Sequence, residues 1–125
     1  VGLSNAWELT AGDIDADGDA DLLAGTYNRE LLFFRNNGPA GFAAAVVLST
    51  TLSGPASLVV DLDRDGKADV VAAALGRTSA VWFRGNGDGT FEPARTLVAV
   101  TDPNARLGGV AVGDIDADGD PDVAF

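Results

Sequence analysis

The sequence contains no His, no Cys and no Met, one Tyr and two Trp, and only 8 Lys and Arg against 19 Asp and Glu. Without Cys there is no disulfide and no thiol nucleophile. Without His or Cys there is no zinc site on imidazole or sulfur and no Ser-His-Asp or Cys-His machinery. A formal net charge of −11 opposes phosphate backbones and anionic lipid, both of which are gripped by clustered Lys and Arg, so nucleic acid and membrane surfaces are not expected partners. No apolar run approaches the ~18 residues of a membrane span. Val1-Gly2-Leu3-Ser4-Asn5 lacks the basic and apolar regions of a signal peptide, and with no initial Met the chain reads as a processed chain or an excised piece. What is present is enough for a core: 125 residues, 46% hydrophobic, suit one compact unit over residues 1–125.

The acidity is concentrated rather than spread. Asp13, Asp15, Asp17, Asp19 and Asp21 form one cluster, Asp61, Asp63, Asp65 and Asp69 a second, and Asp114, Asp116, Asp118, Asp120 and Asp122 a third. Only Glu8, Glu30, Asp88, Glu92 and Asp102 lie outside them, so the rest of the chain is close to neutral.

The clusters start at 13, 61 and 114, and other landmarks keep nearly the same step: Phe34 and Phe83, Arg35 and Arg84, Asn37-Gly38 and Asn86-Gly87, and Phe42 and Phe91 each lie 49 apart. This is an internal repeat of about 50 residues. Each unit reads as short strands. In the second, Ser57 to Val60 leads into the acidic loop and Asp69 to Leu75 leaves it. Ala80 to Arg84 follows a Gly76-Arg77-Thr78-Ser79 turn, and Phe91 to Val100 follows Asn86-Gly87-Asp88-Gly89. The first unit copies this with Leu22 to Tyr27, Glu30 to Phe34 and Phe42 to Ser49. Asn-Gly and Asp-Gly are hairpin signals because a tight turn between twisted strands needs positive φ. Asp69-Val70-Val71-Ala72-Ala73-Ala74 has the Ala content of a helix, but the flanking Gly-rich turns favour a strand. Four strands per repeat give an all-β fold of propeller blades: blade 1 about 5–49, blade 2 about 56–100, and a half blade 3 about 107–125.

Each acidic loop has the form D-x-D-x-D-G-x-x-D. Carboxylates at alternate positions around a bend converge on one point, and Gly18, Gly66 and Gly119 supply the turn. Oxygen-only ligands in this number suit calcium, which takes roughly 6–8 oxygens at about 2.3–2.6 Å, better than octahedral magnesium. The first, third, fifth and ninth Asp are expected to bind through side chains. The seventh residue, Asp19, Lys67 or Asp120, is expected to bind through its carbonyl, since a Lys side chain cannot be a calcium ligand. Two unit charges about 4 Å apart repel by roughly 4 kcal/mol at an effective dielectric of about 20, so a loop without a cation is expected to open. An EF-hand begins similarly but needs a Glu at position 12 and flanking helices; here position 12 is Ala24, Ala72 and Phe125. Asp is also a common solvated turn former, but three loops in phase with the repeat favour up to three Ca²⁺.

The stretch Asp61-Leu62-Asp63-Arg64-Asp65-Gly66-Lys67-Ala68-Asp69-Val70-Val71, followed by Val81-Trp82-Phe83 and Gly85-Asn86-Gly87-Asp88-Gly89-Thr90-Phe91, resembles an FG-GAP or VCBS repeat, the blade of integrin-α-like β-propellers. The resemblance covers almost the whole chain. It implies a four-stranded blade with calcium in the hairpin between the first and second strands, and an extracellular or cell-surface adhesion, lectin or accessory module. Propellers close with roughly four to eight blades. Two and a half therefore imply either a piece of a longer chain or copies associating through exposed blade edges.

Calcium is expected to be structural, and the chain to bind rather than catalyse. Every dense carboxylate group is committed to a loop, and no residue qualifies as a nucleophile or tuned base. Tyr27, Asn28, Arg29, Arg77, Thr78, Asp102, Asn104 and Arg106 fall in loops on the face opposite the acidic hairpins, a mixture suited to a carbohydrate or protein ligand but more readily read as ordinary turns. Trp82 reads as blade packing. The alternative is a non-catalytic scaffold module of a secreted polysaccharide-active enzyme.

Overall fold

The computed structural model describes residues 3, 5–52, 55–74, 78–102, 104–105 and 107–125. The described strands are β1 Ala6–Gly12, β2 Asp21–Thr26, β3 Leu31–Phe34, β4 Val46–Ser49, β5 Pro55–Val60, β6 Asp69–Ala74, β7 Ser79–Phe83, β8 Arg95–Ala99, β9 Ala111–Gly113 and β10 Asp122–Ala124. They form two four-stranded sheets in sequential order, β1-β2-β3-β4 and β5-β6-β7-β8, and a two-stranded sheet of β9 and β10. Every pair is antiparallel. The fold is thus all-β, two complete four-stranded blades and the inner half of a third. Among the described residues no helix is long and apolar enough to cross a membrane.

The Ala-rich run is a strand because it is covered on both faces. Every residue of β6 is buried. Val70, Ala72 and Ala74 join Ile14, Leu23, Leu31, Phe33 and Phe83 in a core between the first and second blades, while Ala73 packs with Ala80 and Leu107 on the other side. A strand sandwiched in this way shows no polar alternation. β1, by contrast, alternates: Glu8, Thr10 and Gly12 are turned toward β5, and Trp7 and Leu9 are about half exposed.

The inner strands of neighbouring blades touch closely. A Cβ placed on Gly12 would lie 2.8 Å from Val59 Cγ1, so only glycine admits this approach. Both oxygens of Glu8 accept from Ser57 N at 3.0 Å, and Thr10 Oγ1 donates to the Ser57 carbonyl at 2.9 Å.

The outer strands start later than the sequence suggests. Phe42 and Phe91 make isolated bridges to Asn36 and Gly85, and the ladders resume only at Val46 and Arg95. Residues 35–45 and 84–94 are therefore broad connectors rather than two-residue turns, although Gly38, Gly87 and Gly89 do take positive φ. In the second blade an aromatic ring explains the delay. Phe91 leaves the sheet to meet Phe33 and Phe83 edge-on, with centroids 6.0 and 6.4 Å away.

Candidate metal centres

The three acidic loops join β1 to β2, β5 to β6 and β9 to β10, and all close by the same hydrogen bonds. The first Asp accepts from the Gly at position six: Asp13 Oδ2 from Gly18 N at 3.1 Å, Asp61 Oδ2 from Gly66 N at 2.9 Å, Asp114 Oδ2 from Gly119 N at 3.0 Å. The third Asp accepts from the fifth residue's N–H, as Asp15, Asp63 and Asp116 do at 3.3, 3.3 and 3.1 Å. The fifth Asp accepts from the seventh residue's N–H, as Asp17, Asp65 and Asp118 do at 2.9, 3.0 and 2.7 Å. These bonds bend the backbone into the left-handed region twice per loop. Gly18, Gly66 and Gly119 take it as anticipated, but so do Ala16, Arg64 and Ala117 at position four. Nothing in the residue type marks that second position; carboxylate-to-backbone bonding imposes it.

The ninth Asp acts as a latch, buried in the two complete blades and partly exposed as Asp122 in the third loop. Its Oδ2 accepts from the loop's second residue: Asp21 from Ile14 N at 3.0 Å, Asp69 from Leu62 N at 3.0 Å, Asp122 from Ile115 N at 2.9 Å. In the complete blades its Oδ1 also accepts from the end of the third strand, Asn36 N at 2.7 Å and Gly85 N at 2.8 Å. The two blades solve the resulting close approach differently. A Cβ on Gly85 would overlap the Ala68 carbonyl oxygen, whereas Asn36 in the matching place donates its Nδ2 to Ala20 O at 3.0 Å.

Carboxylate oxygens of Asp13, Asp15 and Asp17 lie within 4.8 Å of one another, as do those of Asp61, Asp63 and Asp69, and of Asp114, Asp116 and Asp122. Asp19, Asp65, Lys67, Asp118 and Asp120 stand outside these triads, as does Asp21. Asp15 Oδ2 is buried without a well-formed hydrogen bond, its partner being the Arg35 guanidinium. An under-satisfied buried carboxylate in an all-oxygen, multiply charged donor set fits a hard divalent cation. The clusters could hold a metal ion.

Two arginines, visible in the sequence only as repeat landmarks, reach into these loops. Arg84 Nε pairs with Asp63 and Nη2 with Asp65 at 2.7 Å, while Nη1 reaches Glu92 at 3.3 Å. This holds the Asp63 carboxyl below the usual aspartate range. Arg35 pairs with Asp15 and also donates to the Asp88 carbonyl of the next blade at 2.8 Å. Burial nevertheless pushes the Asp15 carboxyl up, reinforced by the charge on Asp21 and partly countered by Arg35. Arg64 Nη1 links the second loop to Asp120 of the third at 2.7 Å. Repulsion alone predicts that a loop without a cation opens; the chain opposes this with its own donors and guanidinium groups.

The loops on the opposite face hold the other candidate residues. Tyr27 is exposed and meets Trp7 edge-on at 5.0 Å, with Asn28 and Arg29 beside it in the β2–β3 turn. Asn104 lies after β8, where its N–H donates to Asp102 Oδ1 at 2.8 Å. Thr78 accepts from Val100 N at 2.7 Å. Arg77 and Arg106 fall outside the described residues. Trp82 is half-buried under the Arg95 guanidinium, 5.3 Å from the ring centroid, consistent with packing.

The FG-GAP-like repeat matches twice, over residues 13–72 and 61–125, each match running from one acidic loop into the next. The chain belongs to the FG-GAP-like repeat family. No curated protein matches it. Among solved structures, these FG-GAP-like blades are similar to a lectin of Agrocybe aegerita, described as recognising non-reducing terminal N-acetylglucosamine, at 26% identity and a TM-score of 0.66. The likeness covers 93% of this chain and 32% of the lectin, so the chain spans about a third of that protein's length.

Proposed function

We propose that this FG-GAP-like chain is a calcium-stabilised propeller segment of an extracellular, carbohydrate-binding protein, and that it binds without catalysing. The observation that carries the metal part is the recurrence, in three loops, of a carboxylate triad within 4.8 Å. Bound calcium would supply a central positive charge to the loop carboxylates and so tie the first two strands of each blade together. Asp13, Asp15 and Asp17 in the first loop, Asp61, Asp63 and Asp69 in the second, and Asp114, Asp116 and Asp122 in the third would hold it. An extracellular module of this kind is expected to bind calcium at roughly 10⁻⁴–10⁻³ M.

The carbohydrate part rests on the likeness to the Agrocybe aegerita lectin. Absence of catalysis rests on the carboxylates themselves: most of those in the loops are tied to backbone N–H groups, and Glu92 is held by Arg84 and Arg95. Among the described residues these committed carboxylates form no free acid–base pair.

Calorimetric titration tests the metal, with up to three calcium ions expected per chain. A ligand at about 100 times its Kd stabilises the folded state by about 2.7 kcal/mol per site, so chelation should lower the melting midpoint by roughly 10 °C or more. An unchanged midpoint refutes structural calcium. Retention on immobilised N-acetylglucosamine without release of reducing ends supports the binding reading, and release of reducing ends overturns the non-catalytic one.

A further inference from the structure

Arg35 and Arg84 hold the same place in successive blades, 49 residues apart, but they meet their loops differently. Arg35 reaches one loop carboxylate, Asp15, and directs its Nη2 to the Asp88 carbonyl at 2.8 Å. Arg84 lies across two, with Nε on Asp63 Oδ2 and Nη2 on Asp65 Oδ2 at 2.7 Å. The remaining oxygen of each already accepts a backbone N–H, Asp63 Oδ1 from Asp65 N at 3.3 Å and Asp65 Oδ1 from Lys67 N at 3.0 Å. All four oxygens are therefore engaged. In the third loop, among the described residues, no cationic side chain pairs with Asp114, Asp116 or Asp122; Arg64 reaches Asp120 instead.

Arg84 has another carboxylate beside it. Glu92 sits directly across the connector, where its N–H donates to the Arg84 carbonyl at 2.9 Å and its Oε1 lies 3.3 Å from Arg84 Nη1. The second oxygen of Glu92 is paired with Arg95 at 2.5 Å. The backbone next to Arg84 is fastened to the loop, since Gly85 N donates to Asp69 Oδ1 at 2.8 Å. The guanidinium can therefore change partner by side-chain rotation alone. The first blade has no such arrangement: the residues 49 positions before Glu92 and Arg95 are Ala43 and Val46.

A divalent cation in the second loop needs oxygens that Arg84 covers, and two cations on one pair of carboxylates repel each other. A site whose ligands are free for only about a tenth of the time binds about tenfold more weakly than the same ligands left bare. We infer that Arg84 is the second loop's own counter-cation: it competes with calcium for Asp63 and Asp65 and so sets that loop's affinity, and Glu92 is the partner that receives it when calcium is held. The inference rests on the calcium reading above and adds to it the residues that make the three sites unequal.

Calcium added stepwise to the ¹⁵N-labelled chain tests it by NMR. The amides of Gly18, Gly66 and Gly119, each bonded to the first Asp of its loop, report on one site apiece, and the Arg84 Nε–H signal reports on the guanidinium. In the parent, Gly66 and Arg84 Nε–H are expected to respond together. Arg84→Gln should bring the Gly66 midpoint to about tenfold lower calcium while the Gly119 midpoint stays within about twofold. Glu92→Gln leaves Arg84 without its second partner and should raise the Gly66 midpoint about threefold. Arg64→Gln removes the same charge from the same loop without uncovering Asp63 or Asp65, and should move Gly66 by less than about threefold. A Gly66 midpoint that stays or rises in Arg84→Gln, or that falls as far in Arg64→Gln, overturns the inference, and responses at Gly18 and Gly119 then leave structural calcium standing. If Arg84→Gln does not fold, Glu92→Gln decides alone, and a Gly66 midpoint unchanged or lowered overturns the inference. No response at any of the three glycines removes the calcium reading and the inference with it.

Discussion

Asp15 shows how position within a repeated motif separates chemically identical residues. It occupies the third place of its loop, as Asp63 does in the next, yet burial raises the Asp15 carboxyl while the Arg84 hydrogen bond lowers that of Asp63. Asp15 is 8% exposed because Gly89 of the neighbouring blade lies over it. A carboxyl whose folded pKa exceeds its unfolded value is a net cost when ionised. That cost is complete above the folded pKa and disappears as pH falls to the unfolded one. In chelator, Asp15→Asn is therefore expected to be more stable than the parent at neutral pH, with the difference closing as pH falls through the raised Asp15 pKa. Urea midpoints measured from pH 7 down to 4 check the sign, and a gap that widens on acidification contradicts it. None of this could be read from the motif, which presents the two residues as equivalent.

At the scale of strands and hairpins, the alternating carboxylates and the single glycine were enough to recognise each acidic loop and place it between two strands. The sequence was less informative about the ninth Asp, read there only as another ligand. In the fold, Asp21 binds Ile14 N and Asn36 N, joining the loop to the ends of β2 and β3. Asp21→Ala leaves one buried and one partly buried donor without a partner, and at about 1–3 kcal/mol each the predicted loss is roughly 2–6 kcal/mol. Because these bonds are made by the protein itself, the loss should persist in chelator, as denaturant unfolding with and without calcium can show. The outer strands were legible in number but not in extent; in the second blade, Asn-Gly and the following Phe do not reveal that the Phe91 ring leaves the ladder to meet Phe33 and Phe83.

At the scale of the whole molecule, stability depends on one blade lying against the next. Gly12 approaches Val59 so closely that a side chain does not fit, whereas Gly113, in the matching position of the half blade, has nothing within 4 Å. Gly12→Val should destabilise by about 1–3 kcal/mol through overpacking, and Gly113→Val should stay within about 0.5 kcal/mol of the parent by thermal or urea denaturation. Ile14 and Ile115 repeat the contrast: the same loop position is 2% exposed in the first unit and 69% in the last. The sequence by itself determined the repeat, the all-β blades and the three acidic loops, because period, turn chemistry and carboxylate spacing are local properties of the chain. Tertiary structure alone decided which carboxylates are buried and which arginines reach them. Those outcomes arise where residues about 20 apart meet within a blade, as Arg35 and Asp15 or Arg84 and Asp63 do, or where residues about 50 apart meet across a blade boundary, and contact of either kind leaves no mark on either segment.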